Sequence, residues 1–141
     1  EGVALIPYLG SFINIDEEAM IIEVISLETD LSLPKILGIT FDDFKIGEKL
    51  IIENKDQMKT IIDVMKYLKN VGMIGITATI DTADASNIII TTRNNIRIFL
   101  GNNKLDYKIS MAKTIVEDLS KNNEIGIVDM RHEGNPIFKR D

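Results

Sequence analysis

The sequence has no cysteine and no tryptophan, and it contains a single histidine among its 141 residues. Without cysteine there can be no disulfide, no thiolate nucleophile, no cysteine-bound zinc and no iron–sulfur cluster. The one histidine, His132, has no second histidine and no serine nucleophile motif with which to complete a catalytic or metal-binding set. We therefore expect no catalytic residue, no metal and no cofactor.

Long apolar runs and an excess of positive charge are also missing. The longest apolar candidate, residues 3–9, contains Pro7 and falls far short of the roughly 18 to 20 residues of a spanning helix. There are 16 Lys and Arg residues against 22 Asp and Glu, a formal net charge of −6. This sign argues against nucleic acid or an anionic membrane surface as a partner. No glycine-rich phosphate-binding motif occurs, so a phosphate-binding loop is unsupported. No small-molecule substrate is expected.

The length and composition fit one folded domain covering residues 1–141, since 45% of the residues are hydrophobic and 27% are charged. These fractions are near the averages of globular proteins. The chain begins at Glu1 without a methionine or a signal-like segment, which we interpret as the start of a fragment of a longer protein.

Two segments have the apolar periodicity of amphipathic helices. The first covers residues 56–70, with Gly72 as its stop, and the second covers residues 106–121. Their apolar stripes consist of Met58, Ile61, Ile62, Met65 and Leu68, and of Ile109, Ala112, Ile115, Val116 and Leu119. The opposite, solvent-facing stripe of the second helix consists of Lys108, Lys113 and Glu117. We expect both apolar stripes to pack on the same sheet.

Short isoleucine-rich blocks separated by Gly, Asn and Asp predict β-strands around these helices. A loop is predicted at residues 29–32, and Asn94 and Asn95 form a two-residue hairpin turn because Asn tolerates positive φ. The strands are predicted at residues 3–9, 12–15, 20–27, 35–39, 73–80, 87–93, 96–100, 125–131 and 136–139. The order of elements predicts an α+β fold, a curved and mostly antiparallel sheet with two amphipathic helices packed on it.

Two other function classes have some support in the residues. One is a cell-wall-associated enzyme that would use a hard cation, for which oxygen ligands are offered by Asp81, Asp84 and Ser86. This segment lacks the length, the glycine and the closing glutamate of a calcium loop. A turn explains these residues better. A carbohydrate-binding module would need an exposed aromatic platform. The sequence has three tyrosines and no tryptophan, which disfavours such a module.

The last predicted strand has the character of a sheet edge. Pro136 cannot donate a ladder hydrogen bond, and proline is largely confined to edges and strand starts. An edge is either guarded, commonly by Lys and Pro, or used to recruit an extended partner. Residue types alone favour an edge that is protected against pairing.

The two apolar residues of this strand, Ile137 and Phe138, point to opposite faces of the sheet. We expect Phe138 to meet a partner and Ile137 to face the core. Lys139 and Arg140 would offer charge to an acidic partner.

The order of segments resembles a known family. It runs through "GSFINIDEEAMIIEV", "LPKILGI", an amphipathic helix, "NIIITTRNNIRIFLG", a second helix that begins "LDYKISMAK", and "IGIVDMRHEGNPIFK". This order resembles the extracytoplasmic β domain of the FtsQ family of bacterial cell-division proteins, called DivIB in Gram-positive bacteria. The resemblance covers nearly the whole chain.

The resemblance implies a non-enzymatic division scaffold that helps to regulate septal peptidoglycan synthesis. Family members are single-pass membrane proteins whose membrane helix and POTRA domain precede this domain, on the extracytoplasmic side at the division septum. Their partners are FtsB (DivIC) and FtsL, taken up as an added strand on the terminal edge. By position, the family's partner-binding edge corresponds to the last strand of this chain. The resemblance therefore favours an edge that recruits a partner over one that is protected against pairing. Its partner-binding residues are His132, Asn135, Pro136, Ile137, Phe138, Lys139 and Arg140, with His132 standing where relatives have an aromatic.

Overall fold

The computed structural model describes residues 1–26 and 32–141. Within them lie two helices, α1 Lys55–Asn70 and α2 Leu105–Lys121, and a 3₁₀ turn Ile74–Ile76. The strands are β1 Ala4–Tyr8, β2 Ser11–Ile15, β3 Ile21–Ile25, β4 Lys35–Leu37, β5 Thr77–Asp81, β6 Ile89–Thr92, β7 Ile96–Phe99, β8 Gly126–Asp129 and β9 Ile137–Arg140. The end of the strand predicted at 20–27 and most of the loop predicted at 29–32 lie outside the described residues.

The described strands form one nine-stranded sheet in the order β3-β2-β1-β4-β5-β6-β7-β8-β9. Five of its eight neighbouring pairs are antiparallel, and β1–β4, β4–β5 and β7–β8 are parallel. The prediction of an α+β fold with a mostly antiparallel sheet is therefore confirmed. The two sheet edges are β3 at one end and β9 at the other.

Both helices pack on the same face of the sheet. The register aligns a row of buried residues across five central strands, namely Ile36, Ile80, Ile90, Ile98 and Val128. The helices contact each other and bury their stripes in the same core cluster, through Ile61, Met65 and Leu68 of α1 and Ile109, Ala112 and Val116 of α2. The predicted packing of the two stripes on one sheet is confirmed.

The connection after α1 differs from the prediction of a strand over residues 73–80. Gly72 has a φ of +76°, and the N–H of Met73 donates to the carbonyl of Leu68 at 2.8 Å. The N–H and hydroxyl of Thr77 then donate to the carbonyl of Met73. Because these bonds wind residues 73–77 into a turn, the strand begins only at Thr77.

The hairpin between β6 and β7 is one residue longer than predicted. Its connection holds Arg93, Asn94 and Asn95, of which Asn95 has a φ of +68°. The side chain of Asn94 accepts a hydrogen bond from the Thr92 hydroxyl at 2.6 Å. Asn therefore occupies the left-handed position, as expected, in a three-residue turn.

Candidate partner-binding edge

The terminal strand β9 is held in place by an antiparallel ladder with β8. The register pairs Val128 with Phe138 and Gly126 with Arg140. Gly126 has a φ of +153°, and a Cβ atom at this position would lie 2.2 Å from the carbonyl oxygen of Lys139. Only glycine allows the two strands to approach so closely at this point.

The hydrogen-bonding direction of each β9 residue follows from this ladder. The N–H of Asp141 donates to the carbonyl of Ile125 at 3.2 Å, one step beyond the β8–β9 register. Bonded and non-bonded pairs alternate along an antiparallel ladder. Ile137 and Lys139 therefore direct their backbone groups toward β8.

Phe138 and Arg140 consequently direct their backbone N–H and C=O groups away from the sheet. Within the described residues, β9 pairs with β8 alone, so these groups have no strand beside them. Pro136 belongs to the same outward-directed set, and its missing N–H removes no bond to β8. The edge character predicted from Pro136 agrees with this geometry.

The side chains of β9 lie on the opposite faces to those predicted. Phe138 is half-buried and packs against the core cluster, whereas Ile137 is 48% exposed. The expectation that Ile137 is the one of the two that faces the core is therefore wrong, and contact of Phe138 with a partner stays a prediction. The cause is the register, which places Phe138 beside the buried Val128 on the helix-covered face.

Charges along β9 are partly neutralised by the chain itself. The Arg140 Nη2 atom donates to Glu124 Oε1, and Arg97 lies 3.8 Å from the Asp141 carboxylate. In the described part of the chain Lys139 has no ion pair, and its side chain is exposed. Of the two cations expected to attract an acidic partner, Lys139 is the one whose charge is available.

An ion pair between the buried carboxylate of Asp129 and the partly exposed side chain of Arg131 anchors the connection between β8 and β9. Arg131 donates from Nε and Nη2 to the two carboxylate oxygens of Asp129, at 2.9 and 2.7 Å, and its guanidinium lies 5.0 Å from the Phe99 ring centre. The hydrogen bond from the Arg131 side chain lowers the pKa of Asp129 to about 2, although burial opposes the shift. His132 is exposed, with Nε2 3.7 Å from Asp129 Oδ2. Asn135 is also exposed, and Pro136 is half-buried before β9.

This ion pair makes acid stability a test of the anchor. The folded pKa of Asp129 is about 2 against 3.8 for the free side chain, so its stabilisation is present above pH 4 and is lost as the pH falls toward 2. We expect Asp129→Asn to lower the free energy of unfolding by about 2 kcal/mol at pH 7 and by much less at pH 2. Urea unfolding across this range measures the difference.

The matched control for this test is Asp43→Asn, which changes an exposed carboxylate outside the ion pair. Its unfolding profile should stay close to that of the wild type between pH 2 and pH 7. A constant difference between wild type and Asp129→Asn over the same range would contradict the role given to the charged carboxylate.

A cleft of about 300 Å³ opens beside the start of β9, between α2 and the connection that follows β8. Its walls include Lys104, Tyr107 and Met111 from the α2 side and His132 and Pro136 from the β9 side. Two of the predicted partner-binding residues, His132 and Pro136, therefore share this cleft. Of the remaining ones, Asn135 lies in the connection before β9, and Ile137, Phe138, Lys139 and Arg140 lie on the strand.

Lys108 also lines this cleft and is only 8% exposed. The helical pattern had predicted it on the solvent-facing stripe of the helix. Its ammonium donates to the carbonyl of Leu100 at 2.7 Å and to Asn103 Oδ1 at 3.0 Å. Burial, and next the charge of Lys104, lower the pKa of Lys108. The prediction failed because a long side chain can turn back to bind a carbonyl that helical periodicity does not show.

The opposite edge of the sheet is covered at its start by the chain itself. The N–H of Ile21 donates to the carbonyl of Glu48 at 2.9 Å, and the N–H of Gly47 donates to the carbonyl of Ile21 at 2.8 Å. The N–H of Leu50 also donates to the carbonyl of Ala19 at 2.8 Å. The segment 47–50 therefore occupies the outer side of β3 where that strand begins.

The alternative site at Asp81 and Asp84 is a pair of turns. Asp81 Oδ1 accepts from the N–H of Ala83 at 3.0 Å, and Asp84 Oδ1 accepts from the N–H and hydroxyl of Ser86 at 2.9 and 2.7 Å. The hydrogen bonds from Ser86 lower the pKa of Asp84. Across residues 1–26 and 32–141, no three acidic or histidine side chains are grouped to hold a metal. The turn interpretation is confirmed.

Comparison with known proteins supports the fold. No family model and no curated protein matches the sequence. The structure is similar to the major extracytoplasmic domain of the trans isomer of the bacterial cell-division protein DivIB from Geobacillus stearothermophilus. The TM-score is 0.52 at 14% identity, over 86% of this chain and 95% of that one. The resemblance seen in the order of segments is confirmed as a shared fold. No helix in the described ranges is long and apolar enough to cross a membrane.

Proposed function

We propose that this chain is the β domain of an FtsQ/DivIB-type cell-division scaffold, forming one domain over residues 1–141. In this proposal it works on the extracytoplasmic side of the membrane at the division septum. It binds extended segments of FtsB/DivIC-type and FtsL-type partners, and thereby helps to regulate septal peptidoglycan synthesis. Support comes from the fold shared with the extracytoplasmic domain of DivIB.

The observation that carries the proposal is the asymmetry of the two sheet edges. The start of β3 is already bonded to the chain's own segment 47–50, whereas β9 directs the backbone groups of Phe138 and Arg140 away from the sheet. An extended segment laid along such an edge satisfies several backbone groups at once, and its alternate side chains provide specificity. The exposed apolar side chain of Ile137 adds a contact that buries apolar area.

The proposal assigns binding and no catalysis to this domain. Asp129, the most deeply buried carboxylate near the edge, is engaged by Arg131, and the buried Lys108 is engaged by a backbone carbonyl. Through these hydrogen bonds, both side chains stabilise the structure of the region that ends in β9. Asp81 and Asp84 hold turns away from this edge of the sheet.

A single proline tests strand addition at this edge. Arg140→Pro removes an N–H that is directed outward, so the ladder with β8 should survive while one hydrogen bond to an added strand is lost. We expect the affinity for the extracytoplasmic segment of the host's DivIC to fall by about tenfold, the equivalent of about 1.4 kcal/mol. Isothermal titration of the folded variants measures this.

Arg140→Ala is the matched control, because it removes the same guanidinium and its pair with Glu124 but keeps the N–H. Its affinity should stay within about threefold of the wild type, as expected when an exposed ion pair is lost. Circular dichroism should show both variants folded. If Arg140→Pro binds as tightly as Arg140→Ala, the partner is captured elsewhere and β9 is only a guarded edge.

A further inference from the structure

We propose that the segment captured by β9 adds antiparallel and carries an acidic residue followed directly by two apolar residues. This inference rests on the proposed function and specifies the partner chemistry of the same edge. It follows from the side chains that the register brings to each face of the sheet beside the position of an added strand.

On the helix-covered face, the buried row that crosses the sheet ends at Phe138. The register aligns Ile98 with Val128 and Val128 with Phe138, and Phe138 still packs against the core cluster. A residue added directly beside Phe138 on this face becomes the next member of that row. An apolar side chain there would cover the half-buried ring and remove apolar surface from water.

On the opposite face, two rows reach the edge with different chemistry. One row runs through Phe99 and Asp129 to Ile137, and its last member is an exposed apolar side chain. The other runs through Arg97 and Ile127 to Lys139. A partner residue beside Ile137 should therefore be apolar, and a residue beside Lys139 should be acidic, since directly opposite charges stabilise cross-strand pairs.

The acidic residue of the predicted motif is inferred from the unpaired charge of Lys139. Arg140 points to the other face and is engaged by Glu124, and Arg97 lies 3.8 Å from Asp141. Lys139 has no carboxylate within ion-pair distance in residues 1–26 and 32–141. The edge therefore offers one available cation, at one position of the ladder.

The direction of the added strand determines the order of these three residues. Antiparallel addition lets Phe138 exchange both of its outward hydrogen bonds with one partner residue, and this pairing is slightly the more stable per residue. Its geometry places the partner residue opposite Lys139 first, that opposite Phe138 second and that opposite Ile137 third. The predicted motif is therefore acidic, apolar, apolar, and a parallel strand would require the reverse order.

Three nine-residue peptides test this order, each with three threonines on either side of a core. The cores are Glu-Val-Ile, the reversed Ile-Val-Glu, and Lys-Val-Ile. Each peptide is titrated to millimolar concentration into the isotope-labelled 141-residue chain, and the amide signals of Phe138 and Arg140 are followed by NMR. We expect the Glu-Val-Ile peptide to bind about two- to fivefold more tightly than either of the others.

Lys139→Glu should reverse the preference, so that Lys-Val-Ile binds more tightly than Glu-Val-Ile. Lys66→Glu, an equal charge change on the exposed face of α1, should leave the preference as in the wild type. Equal affinities, or a preference for Ile-Val-Glu, with shifts at the Phe138 and Arg140 amides would overturn the proposed order while strand addition stands. If no peptide shifts these amides, strand addition fails and the inference fails with it.

Discussion

Replacing Ile61 with alanine should lower the free energy of unfolding by about 2–5 kcal/mol. Ile61 lies on the apolar stripe of α1 and is 2% exposed within the core that joins both helices to the sheet. The substitution removes buried methyl and methylene groups and leaves a cavity that the packed neighbours fill only in part. Denaturant unfolding followed by circular dichroism measures the loss, provided that the slope with denaturant stays unchanged.

The same substitution at Ile51 is the matched control, because Ile51 is 79% exposed. Exposed positions of this kind change stability by about 0.5 kcal/mol or less. The contrast between the two variants isolates burial from the intrinsic effect of alanine. A loss below about 1 kcal/mol at Ile61 would contradict the packing of α1 on the sheet.

Replacing Gly126 with alanine should loosen the terminal strand and lower the free energy of unfolding by about 1–3 kcal/mol or more. Two effects act together at this position. The φ of +153° is a conformation that residues with a side chain avoid, and the new Cβ atom would meet the carbonyl oxygen of Lys139 at 2.2 Å. That oxygen belongs to the backbone of β9, so the strand itself must move.

Hydrogen exchange is the measurement that locates this effect. The amides of Ile137 and Lys139 are directed toward β8 and should exchange faster in Gly126→Ala, while amides of the central strands keep their protection. Gly75→Ala is the control, since a Cβ atom there meets nothing within 4 Å. Unchanged protection at Ile137 and Lys139 would show that β9 does not depend on the close approach at Gly126.

Elements governed by local pattern were predictable from the sequence. The two helices begin one residue before the predicted positions and end at the predicted residues, Asn70 and Lys121, because their stripes repeat with helical period over four turns or more. The turn at residues 73–77 was not predictable in this way. It depends on the carbonyl of Met73 accepting two hydrogen bonds from Thr77, and an apolar run of this length reads equally as a strand.

The candidate edge shows the same division between local and non-local information. Pro136 indicated an edge strand by itself, because a missing N–H is a local property. The faces of Ile137 and Phe138 were predicted the wrong way round, since alternation separates the two side chains but only the pairing with Val128 determines which one faces the core. The pair of Arg140 with Glu124 likewise exists only because β8 and β9 lie side by side.

The segment 47–50 on the outer side of β3 also bears on how copies of this chain can associate. A sheet with two open edges can join head to tail with its neighbours, and such contacts build filaments where they do not close into a ring. Here the N–H and C=O of Ile21 are already bonded to residues 47 and 48. A β9 strand from another copy would have to break those bonds to add along the start of β3. The fold therefore disfavours head-to-tail pairing of copies at the start of β3, whereas a strand added along β9 breaks no backbone hydrogen bond of the described residues.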